Sequence, residues 1–332
     1  MQSEGKISQR LLPWVPVAAA LAYPWTLRLF HDAIVAQPHG LAPAGWLILA
    51  FALPVSCLFF ASYCARRASG ALPTLRRAAF LALAAPPLFV ATGVVSSLLH
   101  APVPDLWTWS ILWLAVGVAA TIARPGAEPR PAKPMPGRLR VAHGITAVAI
   151  LVFVAFHLTN HLTGLFGPAV HARVMAAGRT VYRARLIEPA FVVLLLFQVA
   201  SGLRLAWRWS ARPLDTAQLI QVGSGVYLAA FILTHLNSAF VSARWVHHIP
   251  TDWAWATGAP EGLLRDAWNI RLLPHYALGV FFVIAHLFCG LRIVLLAHGV
   301  TRSTADRLWA CGLLCAATVA SLIAAALCGL RI

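Results

Sequence analysis

Charge is scarce in this sequence, and acid is scarcer still. Only 11% of the 332 residues are Asp, Glu, Lys or Arg, and ten of them are acidic, whereas a soluble domain carries about a quarter charged residues. Six cysteines are present and none stands in a CxxC or CxxCH arrangement. That excludes the patterns of a redox dithiol, a zinc ribbon and a c-type haem. Cys57, Cys64, Cys289, Cys311, Cys315 and Cys328 all lie in or beside apolar runs and read as small hydrophobes. No glycine-rich dinucleotide fingerprint, P-loop or iron–sulfur cysteine set occurs. Flavin, nucleotide or cluster chemistry therefore needs another subunit.

What fills the chain is apolar sequence: 60% of the residues are hydrophobic, in long Leu-, Ala-, Val- and Phe-rich runs. Each run approaches the length of a bilayer's hydrocarbon core. The expectation is an all-α, polytopic membrane protein of about nine transmembrane helices, at roughly 11–30, 44–65, 77–99, 106–123, 141–166, 188–209, 218–241, 272–297 and 306–330. The first run resembles a signal peptide, with Ala20-Leu21-Ala22 in the place of a cleavage site, but apolar sequence continues to Phe30, so an uncleaved helix is expected.

The net charge of +16 does not point to nucleic acid, because the basic residues sit singly or in pairs between apolar runs rather than as one basic face. With the N terminus in the cytoplasm, sixteen Lys and Arg fall on the cytoplasmic side and nine outside. The positive-inside rule then predicts an N-in, C-out protein of a bacterial inner membrane. Residues 124–138, RPGAEPRPAKPMPGR, hold five prolines and cannot continue a helix. They divide the chain into a four-helix region (1–123), a cytoplasmic linker (124–138) and a five-helix bundle (139–332).

Histidine distinguishes the two halves. His31, His39 and His100 fall at the ends of the N-terminal spans, whereas His157, His161, His235 and His286 lie within the later ones. Ionisable residues inside a membrane face the bundle interior and usually serve function. His157 lies about seven residues from the outer end of its helix and His235 about six from the end of its own, which puts both roughly 10 Å below the outer surface. Two neutral imidazoles at one depth on neighbouring helices can be the two axial ligands of a b haem. Without a cofactor, the same pair reads as an interhelical hydrogen bond. His161 shares the face of His157 and reads as an alternative ligand or a pocket residue.

A short repeat accompanies these histidines. Gln198 is followed at offsets of four, five and six by Gly202, Leu203 and Arg204, and His286 by Gly290, Leu291 and Arg292. A His-Leu step recurs at His157 and His235. A duplicated helix pair would create two sites, one with His157 and His235, the other with His286 facing Gln198. Glutamine is a poor iron ligand beside imidazole, so the second site should be empty or remodelled. Arg204 and Arg292 read either as partners of haem propionates or as side chains reaching lipid headgroups.

At these residues the sequence resembles the cytochrome b membrane anchor of succinate dehydrogenase and fumarate reductase, in its five-helix, di-haem form. The resemblance covers roughly 138–330. It rests on Arg140 to Gly144 opening the first bundle helix, Phe156-His157-Leu158 near its end, Gln221 to Gly225 ahead of His235, and His286 with Gly290-Leu291-Arg292. It implies four axial histidines, one from each of the first four bundle helices, paired first with third and second with fourth. By position His157 and His235 form one pair, and His286 is half of the other with Gln198 where its partner belongs. Electron transfer between quinone and a flavoprotein or iron–sulfur subunit is the implied activity. The four N-terminal helices depart from the family's pattern.

Other residues have blander readings. His143 and His275 lie near helix starts, on the faces of His157 and His286, as interfacial polar groups or as contacts of a haem edge or quinone. His247 and His248 read as a solvated pair. Trp245, Trp253, Trp255 and Trp268, with Asp252, Glu261 and Asp266, occupy the loop at 242–271, as interfacial anchors or as the roof of a pocket. Two rival functions stay open: a self-contained haem- or metal-dependent enzyme acting on a lipid-like substrate, and a haem-free transporter or assembly factor.

Overall fold

The computed structural model describes residues 11–38, 40–65, 72–122 and 137–332. Among them every regular element is helical. The linker at 124–138 lies outside the described residues except for Gly137 and Arg138. So do His39 and, of the residues that entered the reading of orientation, Lys6, Arg10, Arg66, Arg67, Arg124, Arg130 and Lys133.

The chain begins with α1 (Trp14–Ala36), α2 (Leu41–Ala65), α3 (Leu72–Leu83), α4 (Ala85–Leu98) and α5 (Asp105–Ile122). It continues with α6 (Gly137–Leu162), a 3-10 turn (Thr163–Phe166), α7 (Pro168–Tyr182), α8 (Ile187–Trp209) and α9 (Thr216–Leu236). A π-helical segment (Asn237–Val246), two short helices α10 (Trp253–Thr257) and α11 (Gly262–Arg265), α12 (Leu272–Ala297) and α13 (Arg302–Leu327) complete it.

Seven helices are long and apolar enough to cross a membrane, or eight if α3 and α4 form one broken span, among the described residues. This makes the protein an all-α, integral membrane protein and corrects the expected count of nine. Two causes account for the difference. The first expected span is helical as α1 but is not among the seven; Pro16, Pro24, Arg28, His31 and Asp32 dilute its apolar sequence. The span expected at 77–99 bends by 63° between Leu83 and Ala85. Pro86 and Pro87 follow that break, and they lack the N–H groups that would carry the helix through it. They are tolerated in the first turn of α4, where those donors have no helical partner.

The residues form two compact units. The first holds the described residues as far as Ile122 together with Ala206–Ala230. Its core is aromatic: Phe89 lies edge-on to Tyr23 and Trp109 at 6.3 and 5.3 Å, and buried Trp109 donates its indole N–H to the Ala20 carbonyl at 2.8 Å. Arg76 and Arg77 finish the C-terminal end of α8. Arg76 donates to the Arg212 carbonyl, and Arg77 donates to Ser210 Oγ at 2.9 Å and the Trp207 carbonyl at 3.0 Å. Cations bonded to the last carbonyls of a helix satisfy them and offset its negative end.

The second unit holds the described residues from Gly137 to Leu205 together with Phe231–Ile332. Here α12 and α13 pack antiparallel. Phe288 lies over Gly312, where a Cβ would come within 2.1 Å of its ring, Trp309 Nε1 meets Cys289 Sγ at 3.1 Å, and Arg292 donates to Asp306 at 2.6 Å. At the other side, Gly167 turns the chain at φ +104° and α7 returns antiparallel beside the last turns of α6. Phe156 packs onto Gly178, whose Cβ would lie 2.3 Å from the ring, and Phe153 meets Tyr182 at 5.5 Å.

Candidate functional site

The end of the second unit where α6 gives way to α7 gathers four of its ten imidazoles. His157 and His161 stand one turn apart on α6, and their rings meet edge-on at 4.7 Å. His235 closes α9 and faces His157 with ring centroids 6.1 Å apart. It is the second-last α-helical residue before the ten-residue π segment. Such widened helix often marks functional positions.

Each facing imidazole is backed by a phenyl ring one turn earlier. Phe153 stacks on His157 at 5.4 Å and 21°, and Phe231 stacks on His235 at 5.6 Å and 6°. Phe231 is held in turn by His275 at 4.5 Å and by Gly279, where a Cβ would fall 2.4 Å from its ring. The His-Leu step seen in sequence is therefore part of a longer repeat, Phe-x-x-x-His-Leu, at 153–158 and 231–236.

Two residues that sequence reasoning missed complete the cluster. His171, in the first turns of α7, is 2% exposed, and Asn160 on α6 is 4% exposed. Their side chains meet at 3.2 Å between Asn160 Nδ2 and His171 Nε2. The amide donates and Nε2 accepts, which leaves the His171 proton on Nδ1. Burial, and then the guanidinium of Arg179, pushes the pKa of His171 down to about 4, so it is neutral at physiological pH. Trp253 covers this group, 4.5 Å from His171 and 6.4 Å from His161. Its indole rests on Gly164, where a Cβ would lie 2.0 Å from a ring carbon.

The cluster is short of hydrogen-bond partners. Asn160 Oδ1, His161 Nδ1 and His171 Nδ1 are buried without any, although buried polar atoms are almost always bonded. His157 and His235 make no side-chain hydrogen bond to another described residue. The reading of these two as a hydrogen-bonded interhelical pair is therefore not what the protein adopts.

The opposite end of α6 is arranged differently. His143 Nδ1 and Ser201 Oγ lie 2.7 Å apart. Gln198 Nε2 donates to the His143 carbonyl at 2.8 Å and to Thr146 Oγ1 at 2.6 Å. A Cβ at Gly202 would come within 3.3 Å of the His143 ring. Gln198 thus turns toward α6 rather than toward His286, which is half-buried on α12. Arg204 is exposed, whereas Arg292 is 5% exposed and paired with Asp306. Of the two repeated arginines, Arg204 has the open position that a side chain reaching lipid headgroups needs, and Arg292 does not.

The residues can be tested against a haem. A b haem would need two imidazole nitrogens free to hold it from facing helices. His157 and His235 would supply them: their ring centroids lie 6.1 Å apart, and neither makes a side-chain hydrogen bond to another described residue. The pair fits. Gln198 and His286 do not, because Gln198 is bonded elsewhere. Among the described residues no group of three or more His, Cys, Asp or Glu is arranged to hold a metal ion. No family model, curated protein or solved structure matches this chain.

Proposed function

We propose that this chain is a membrane b-type cytochrome that passes electrons between quinone and an oxidoreductase partner through one haem held by His157 and His235. The observation that carries the reading is their pairing at 6.1 Å with no hydrogen bond to any described residue. A bound haem would supply one-electron chemistry, at a potential set by its ligands, their hydrogen bonds and burial. The protein's own part is to aim two neutral imidazoles at each other. Phe153 and Phe231 hold them by stacking. His161, His171 and Asn160 provide polar groups beside them, and Trp253 covers that side.

The resemblance to the cytochrome b anchors of succinate dehydrogenase and fumarate reductase agrees with this reading, reduced from two haems to one. The positive-inside count supports an N-in, C-out orientation in a bacterial inner membrane. The histidine cluster would then face the outer side. Flavin and cluster chemistry would belong to a partner subunit, since the sequence has no motif for either.

The test is a reduced-minus-oxidised spectrum of the chain purified in mild detergent, with haem quantified per polypeptide. One low-spin b haem per chain is expected, and both His157→Ala and His235→Ala should remove it. A folded, haem-free protein from cofactor-replete cells would overturn the reading, as would full haem content in either variant.

A further inference from the structure

Arg179 in the last turn of α7 and Arg183 just past it form no ion pair with a carboxylate among the described residues. Arg179 donates through Nη2 to the Thr251 carbonyl at 2.8 Å and to Thr251 Oγ1 at 3.4 Å. Arg183 donates through Nη2 to the same hydroxyl at 2.8 Å. One neutral residue therefore binds two guanidiniums four positions apart in sequence, a spacing at which like charges destabilise a helix. Arg179 Nε is buried and has no partner at all.

A third guanidinium is close. Arg244 pairs with Glu188 at 2.7 and 3.2 Å, so the one acid of this group is already engaged on both oxygens. Asp252, the neighbour of Thr251, uses one carboxylate oxygen to cap α10 through the Trp255 N–H at 3.0 Å. The mutual repulsion is felt: burial, then Arg179 and Arg244, push the Arg183 pKa down, and the opposing pull of Tyr182 and Glu188 does not cancel them. Three arginines and one paired glutamate leave a net positive cluster in which Arg179 Nε is an unused donor.

Its position indicates what it meets. Arg183 follows the end of α7 and lies just before α8, a candidate span beginning at Ile187. Val181 and Leu186, on either side of it, are 60% and 83% exposed. Apolar side chains left open next to guanidiniums at the start of a span suit acyl chains and a headgroup at the membrane surface.

We infer that Arg179 and Arg183 form a binding site for a phosphate oxyanion, that of an anionic phospholipid headgroup held against Val181 and Leu186. Paired guanidiniums suit such an anion because their N–H groups can donate to two of its oxygens at once. The site is independent of haem.

The test is native mass spectrometry of the full chain in detergent, titrated with dioleoyl phosphatidylglycerol, uncharged dioleoylglycerol or inorganic phosphate. Wild type should retain one phosphatidylglycerol in preference to dioleoylglycerol, and Arg179→Gln/Arg183→Gln should weaken that binding roughly tenfold to thirtyfold. Thr251→Val removes the shared hydrogen-bond acceptor but keeps both charges, so it should still bind the lipid. If it loses binding as fully as the double variant while folded, the arginines act only through Thr251 and the site is overturned. Equal phosphatidylglycerol binding by wild type and the double variant also overturns it. Displacement of the lipid by millimolar inorganic phosphate would support the oxyanion site but assign it to a free anion, and resistance would support the headgroup.

Discussion

The two ends of α6 carry the same kinds of residue and use them in opposite ways. Near its start, His143, Thr146, Gln198 and Ser201 form a closed set in which the imidazole, the amide and both hydroxyls find partners within the protein. Near its end, His157, His161, His235, Asn160 and His171 share one hydrogen bond between them, and three buried polar atoms have none. Leaving a buried donor or acceptor unmade costs about 1–3 kcal/mol. A fold that accepts this cost at one end and avoids it at the other separates a structural station from a functional one. Histidine content alone does not make that separation.

The largest effect that would break the comparison is loss of the cofactor. On the proposed reading His157→Ala should abolish the b-haem spectrum, whereas His143→Ala, which removes the imidazole bonded to Ser201 near the helix start, should leave haem content per chain unchanged. Loss of haem in both variants, with the helical circular dichroism intact, would mean that the ends are coupled and the contrast is false.

Glycine replacement gives the next largest contrast, and here the sign differs between the ends. Gly164→Ala would drive a methyl to 2.0 Å from the Trp253 ring. Overpacking of this kind costs about 1–3 kcal/mol, so the thermal midpoint in detergent should fall. At the start of α6, Gly144 has nothing within 4 Å of an added Cβ. Gly144→Ala should raise the midpoint, by up to about 1 kcal/mol, because alanine loses less backbone freedom in a helix. A fall in both would show that the cover over the histidines is no tighter than the rest of the bundle.

Much of this arrangement was legible, and the misses have physical causes. His157 and His235 could be matched by counting rise per residue from the helix ends, because a spanning helix is straight enough for sequence distance to measure depth. The stacked phenyl rings were readable too, as Phe-x-x-x-His-Leu at 153 and 231, but the sequence reading stopped at His-Leu. His171 escapes that reading because residues 167–187 fall between the spans expected at 141–166 and 188–209. The pattern Val170, Val174, Met175, Gly178 and Tyr182 has helical spacing and would have found α7. Asn160 gave no signal because it is not a ligand type. Neither did the π segment, since that widening arises from packing rather than from local propensity. The expected count of nine spans failed where prolines and scattered polar residues mattered more than average apolarity, in α1 and at the α3–α4 break.

A smaller effect probes the closed station directly. Gln198→Leu removes the donations to the His143 carbonyl and Thr146 Oγ1, at 2.8 and 2.6 Å. Both acceptor residues keep other bonds, since Thr146 Oγ1 still donates to the Ala142 carbonyl at 2.9 Å. The cost should be about 1 kcal/mol, read as a modest drop in thermal midpoint with the haem spectrum unmoved. A spectral change would mean that Gln198 senses the cofactor from the far end of the helix.

The smallest effect is expected at His286, and it is the most discriminating for the di-haem resemblance. In that pattern His286 is an axial ligand and its removal would cost a haem. Gln198, which the resemblance sets opposite His286, donates its amide to α6 instead. His286→Ala should therefore keep one haem per chain with the same band positions, and shift stability by about 1 kcal/mol or less, as for a half-buried side chain outside the site. Halved haem, or a shifted spectrum with the stoichiometry intact, would put His286 back among the ligands. The contrast would then have to be drawn between two working sites rather than between a working site and a closed one.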